Sequence, residues 1–104
     1  MIVTTGCEVP GKKVSKVLGV VKGNTVRSRN LGVDIIAGIK NMIGGEITVY
    51  TTLVTQAREE AYERMVQKAK ELNADAIVNM KFMTSTVMAG ASEMLAYGTA
   101  VKLK

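Results

Sequence analysis

A chain of 104 residues, 47% of them apolar and with a net charge of +5, fits one domain with a modest core. No apolar run approaches the roughly twenty residues of a membrane helix, and the opening MIVTTGCEV lacks the basic-then-apolar order of a signal peptide. A single cysteine excludes an internal disulfide framework and suits a reducing, cytoplasmic compartment.

The charge is uneven. Residues 1–30 carry six basic side chains (Lys12, Lys13, Lys16, Lys22, Arg27, Arg29) against Glu8 alone, and the rest of the chain carries eight of each sign. Such a segment is either a solvated strand face or an anion or nucleic-acid surface, with Arg27 and Arg29 as the candidate anion-binding residues. No aromatic residue lies among these six bases in sequence, so no stacking platform for single strands is legible and nucleic acid is disfavoured.

In chain order, Ile2–Thr5 reads as a short β-branched strand. Val9-Pro10-Gly11-Lys12 reads as a turn, with proline presetting the first central position and glycine accepting positive φ at the second. Val14–Lys22 is a second strand. Gly23-Asn24 signals a two-residue hairpin, from which Thr25–Arg29 returns as a third strand. After Asn30-Leu31-Gly32, the spacing of Ile35, Ile36, Ile39, Met42 and Ile43 predicts a helix over 33–43, with Asp34 serving its N-terminus and Gly44-Gly45 ending it.

Residues 46–55, EITVYTTLVT, are β-branched, yet Ile47, Tyr50, Val54, Ala57 and Ala61 step by three, four, three and four. That phase continues through Met65, Ala69 and Leu72, so the spacing predicts one helix over 47–72. Glu60 stands four residues before Arg64, the favourable order for an ion pair. Asn73 can take the left-handed conformation that ends a helix. Alternation from Ala76 to Met83 predicts a strand, Met88–Ser92 a loop, and Met94–Leu103 the last strand. On that strand Leu95, Tyr97, Thr99, Val101 and Leu103 share one face, and Met94, Ala96, Gly98 and Ala100 the other. Large residues on one face and small ones on the other suggest that both are covered.

These elements carry a family resemblance. Gly19-Val20-Val21-Lys22-Gly23, Arg29-Asn30 followed by Asp34, Gly44-Gly45-Glu46 and Tyr50 match in order. So do Ala57-Arg58, Ala61, Ala69, Ala74-Asp75-Ala76-Ile77-Val78 and Tyr97-Gly98-Thr99-Ala100-Val101. Together they resemble the YbjQ-like family, small bacterial proteins of unknown function that carry a heavy-metal-binding label. Asn73 departs from the glycine usual there, but tolerates the same geometry. The resemblance implies one domain over 1–104 with an α+β fold that assembles as a ring of five subunits. The residues themselves suggest a two-layer sandwich, with a mostly antiparallel sheet and one short and one long helix in the order β-β-β-α-α-β-β.

The chemistry legible in the residues is sparse. Without histidine, Cys7 alone cannot build a tetrahedral site in one subunit, so a soft metal ion would need copies of Cys7 gathered around an oligomer axis. Met80 and Met83 point to opposite faces of a strand and do not form a chelate. Asp34, Asp75, Glu93 and Cys7 have no partner that spacing can place, and Gly44-Gly45 lacks the spacing and lysine of a phosphate loop, so no enzyme is expected.

A helix of about 26 residues is about 39 Å long, whereas a compact domain of about 100 residues is about 34 Å across. The helix is therefore expected to overhang its sheet and expose Ile47, Tyr50, Leu53 and Val54. With Met94, Ala96 and Gly98 these are the expected interface of a homo-oligomer. The reading is a non-enzymatic oligomeric domain that binds a ligand or partner at its subunit interfaces. A soft-metal site at Cys7 is its alternative, and anion or nucleic-acid binding by the basic N-terminal third a second one.

Overall fold

The computed structural model describes residues 1–28, 46–88 and 91–104, with the backbone alone described at residue 28 and residues 46–51. The elements are β1 (Ile2–Val3), β2 (Val14–Ser28), α1 (Glu46–Glu71), β3 (Ala76–Met88) and β4 (Ala91–Leu103). The fold is α+β: a four-stranded sheet in the order β1-β3-β4-β2, with α1 on one face. Among the described strands only the short β1–β3 pair is parallel; β3–β4 and β4–β2 are antiparallel. The helix expected over 33–43 lies outside the described residues.

The long helix forms where its stripe predicts, β-branched first turns included. It buries Ala57, Ala61, Met65 and Ala69 against Val21, Ile77, Met80, Met94, Ala96 and Ala100. Leu72, the expected last member of the stripe, is exposed because the helix has ended. Its end is built by Asn73 at φ 60°. The Asn73 N–H bonds the Lys70 carbonyl at 3.0 Å and the Ala74 N–H the Ala69 carbonyl at 3.1 Å, the paired bonds of a Schellman end. Glu60 and Arg64 pair at 2.9 Å.

One predicted turn is absent. Gly23-Asn24 does not reverse the chain; β2 runs unbroken from Val14 to Ser28 and pairs with β4 along that length. The glycine serves a different purpose. A Cβ at Gly23 would run into the helix backbone at Ala61 and Met65, so glycine stands where α1 lies directly on the strand. The final loop is also shorter than expected. β3 continues to Met88 and β4 begins at Ala91, so Met88, Ala91 and Ser92 are strand residues and only residues 89–90 lie outside the description.

The helix sits toward one end of the strand: it meets Gly23 at Ala61 and Met65, with Ala61 fifteen residues after the helix start at Glu46 and Gly23 five residues before β2 ends at Ser28. Fifteen residues of β2 span about 50 Å at about 3.3 Å per residue, more than the helix's length of about 39 Å. Sheet and helix lengthen the molecule together, to 53 × 26 × 19 Å with a radius of gyration of 16.8 Å, against about 13 Å for a compact chain of this size.

The turn at Val9–Lys12 forms as read, with Gly11 at φ 80° and the Lys12 N–H on the Val9 carbonyl at 3.1 Å. It brings Val9 over Ala76, Val78, Val101 and Leu103, a small second cluster on the far face of the sheet. Four register shifts interrupt the described ladders, and two of them carry a residue at positive φ. β2 shifts register between Val17 and Gly19, with Gly19 at φ 133°, and β3 between Val78 and Lys81, with Asn79 at φ 54°.

Candidate functional site

The bulge at Asn79 divides β3. Before it, Ala76, Ile77 and Val78 are buried, and Met80 follows them into the core. The segment after β1 straps this half down: the Thr4 N–H bonds the Ile77 carbonyl at 2.9 Å, the Thr4 carbonyl accepts from Met80 N–H at 3.0 Å, and the Gly6 carbonyl from Asn79 N–H at 2.9 Å. Beyond Met80 the strap has ended, and α1 lies over β2 and β4. Every residue from Lys81 to Met88 is exposed, on both faces of the strand. Four are large and apolar: Phe82 at 44%, Met83 at 49%, Val87 at 57% and Met88 at 66% exposure. The outer edge of this half has no neighbouring strand among the described residues. An exposed apolar strand with a free edge is a surface made for pairing.

Pairing fixes which side chains share a face. Ala96 and Ala100 lie under the helix. Phe82 pairs with Ala96 and Thr84 with Met94, so both face the helix side, where the Thr84 hydroxyl lies 3.2 Å from the Met94 sulfur. Lys81, Met83 and Ser85 face the other way, as do Leu95 and Tyr97 of β4 and Val20, Lys22, Asn24 and Val26 of β2. Of the two faces of β4, the helix covers the small-residue one. The large-residue face is closed only at Val101 and Leu103, beneath Val9.

The residues singled out in the sequence do not converge. Met94 and Ala96 are buried beneath α1 and Gly98 against Ile77 and Met80 of β3, so that row is already occupied within the chain. On the helix, Leu53 is partly buried and Val54 exposed; the side chains of Ile47 and Tyr50 lie outside the description, as does Arg29. Arg27 is not a free cation. Its guanidinium bonds Glu60 at 2.6 Å, Glu60 also receives Arg64, and Arg64 donates to the Asn24 carbonyl at 2.6 Å. This cluster ties the helix to the edge strand, at roughly 0–1 kcal/mol per partly exposed pair.

Cys7 is exposed, one residue past the strap. The described residues contain no group of three His, Cys, Asp or Glu that could hold a metal ion, and the chain has no histidine. Among the described residues, the donors of one chain therefore do not form a tetrahedral metal site. Asp75 sits far from Cys7 in role: its carboxylate accepts the Leu103 N–H at 2.8 Å and lies 3.5 Å from the Lys102 ammonium. The Leu103 bond, then Lys102 and Lys12, hold its pKa below the ordinary carboxylate value. Glu93 accepts from the Asn24 side chain at 3.1 Å. Among the described residues no helix is long and apolar enough to cross a membrane.

The sequence reading missed Phe82, Met83, Val87 and Met88 as surface. The signal was present: after Met83 the run Thr84-Ser85-Thr86 has no apolar alternation, as befits a strand buried on neither face.

A family model described as "Putative heavy-metal-binding" matches residues 1–104. A UPF0145 protein of Methanoculleus marisnigri is 59% identical over 103 residues, covering 99% of this chain and 96% of that protein. One from Archaeoglobus fulgidus is 56% identical over 104 residues, covering 100% and 96%, and one from Thermotoga maritima 53% identical, covering 100% and 98%. The relatives thus include archaeal as well as bacterial proteins. A solved structure of a Pediococcus pentosaceus protein of unknown function, of the DUF74 family, superposes with a TM-score of 0.66 at 18% identity, covering 100% of this chain and 98% of that one. That likeness supports the fold alone.

Proposed function

The chain belongs to the YbjQ-like family, whose function is not established, and we propose that it works as a non-enzymatic module that joins copies of itself and holds a ligand or partner where the copies meet. One observation carries this reading: residues 81–88 form a strand exposed on both faces and along its outer edge, with four large apolar side chains. A strand in that state is stabilised by pairing with another chain. The long outer edge of β2, at the opposite end of the strand order and without a strand partner among the described residues, offers the complementary edge. Contacts between two different edges are heterologous and close into rings when the rotation permits; a ring of five is the form the family resemblance implies. Light scattering and native mass spectrometry at micromolar concentration are expected to give a homo-oligomer, and a stable monomer contradicts the reading.

A second reading follows from the exposure of Cys7 and the family description. A soft metal ion bound by this protein would draw its thiolates from Cys7 of several copies. Cys7→Ser is then expected to abolish Cu(I) or Zn(II) retained by untagged protein, and Met83→Leu to leave it unchanged. Metal retained in full by Cys7→Ser excludes the thiol as the ligand.

A further inference from the structure

The first thirty residues hold six bases and no aromatic, but the sheet brings an aromatic to them from the far end of the chain. Tyr97 of β4 pairs in register with Lys22 of β2 on one side and with Lys81 of β3 on the other. All three belong to the face opposite the helix: their neighbours Gly23, Ala96 and Phe82 form the adjacent row on the helix side, where the helix backbone abuts Gly23. Both lysines are exposed and Tyr97 is partly buried between them. Adjacent strands lie about 4.8 Å apart, so the two lysine backbones are about 10 Å apart across the tyrosine. Neither ammonium has an acidic partner among the described residues; the acids nearest by register are Glu93, four residues along β4 and held by Asn24, and none on the same row.

The rows on either side continue the surface. Val20 and Thr99 lie on one flank, which closes at Val78 beneath Val9, and Asn24, Leu95 and Met83 on the other, each flank about 7 Å from the central row. They supply apolar floor with amide and hydroxyl groups between. No described element covers the central part of this face, and Val20 is 74% exposed.

We infer that this Lys22–Tyr97–Lys81 row is a binding surface for single-stranded nucleic acid, with a base stacked on Tyr97 and the flanking phosphates at the two lysines. Three features favour this occupant. The charge of the row and of the whole chain, +5, complements a phosphate backbone. An aromatic side chain between cations on an open antiparallel sheet is the arrangement by which single strands are held. The face is open along the strands, which suits an extended ligand rather than one enclosed on all sides. The row is complete within one chain; it shares Lys81 and Met83 with the half-strand proposed above for assembly, and pairing along the outer edge of that half leaves this face of the sheet open.

The test is fluorescence anisotropy of a labelled oligothymidylate of about twelve nucleotides, a length within single-strand site sizes, titrated with the full chain at low salt and then with added salt. Binding that weakens as salt rises is expected. Lys22→Gln and Lys81→Gln, at exposed positions, are expected each to flatten the logarithmic salt slope by about 0.7. Tyr97→Ala is expected to weaken binding about tenfold and Tyr97→Phe to leave it within about twofold. A duplex of the same length is expected to bind more weakly. Failure to bind at low salt, affinity and slope unchanged in both lysine variants, or a duplex bound as tightly as the single strand overturns the inference. The lysine variants keep the test decisive if Tyr97→Ala proves poorly folded.

Discussion

The two halves of β3 share one strand and one partner, yet have opposite environments. Ala76, Ile77, Val78 and Met80 are buried between the helix, the strap from β1 and the Val9 turn. From Lys81 onward nothing described covers either face. Composition does not explain the contrast, since Phe82, Met83, Val87 and Met88 are as apolar as the buried residues before them. Position does: the bulge at Asn79 ends the strap, and the helix sits toward β2, drawn there by the close approach at Gly23 and by the Arg27–Glu60–Arg64 cluster. The first half of the strand is finished by its own chain. The second half retains apolar surface that another chain can complete.

Breaking the finished half should have the largest effect. Met65 is fully buried among alanines that leave little freedom to collapse, so Met65→Ala is expected to cost about 2–5 kcal/mol in urea unfolding. Next comes Gly23→Ala, whose methyl group has no room beneath Ala61 and Met65; displacing the helix is expected to cost about 1–3 kcal/mol. An alanine tolerated there without loss would mean the helix is not seated on β2.

Smaller still is the contribution of Asp75. Folding lowers its pKa, chiefly through the Leu103 N–H bond. Its carboxylate therefore favours the folded chain at pH values above the ordinary 3.8, and that contribution disappears as pH falls through the lower folded value. Asp75→Asn is expected to flatten the acid limb of a stability–pH profile measured below pH 3.8 and to leave its shape near neutrality unchanged. An acid limb identical in the variant would contradict the assigned bond.

What the sequence revealed follows the same division. The 47–72 helix was legible because one apolar stripe crossed the β-branched stretch without a change of phase, and Asn73 announced its end. Features set by distant parts of the chain were not. Gly23-Asn24 has the local chemistry of a hairpin, and only the helix lying on Gly23 explains why the strand runs on. The small-residue face of β4 was read as surface for another chain because nothing local says that α1 occupies it. The strand beyond Met83 loses its alternation because neither face is buried. Tyr97 meets Lys22 and Lys81 through register alone, across 75 and 16 residues of sequence.

The central claim is that the exposed half of β3 is where copies join. Its most direct test is light scattering at micromolar concentration on the wild type and on the double substitution Phe82→Glu with Val87→Glu, together with the unfolding midpoint of each across a concentration series. The account predicts an oligomer with a concentration-dependent midpoint for the wild type, and for the variant a monomer that keeps its helix content and loses that dependence. A wild-type monomer whose two-state unfolding is independent of concentration, or a variant that assembles as the wild type does, would contradict it.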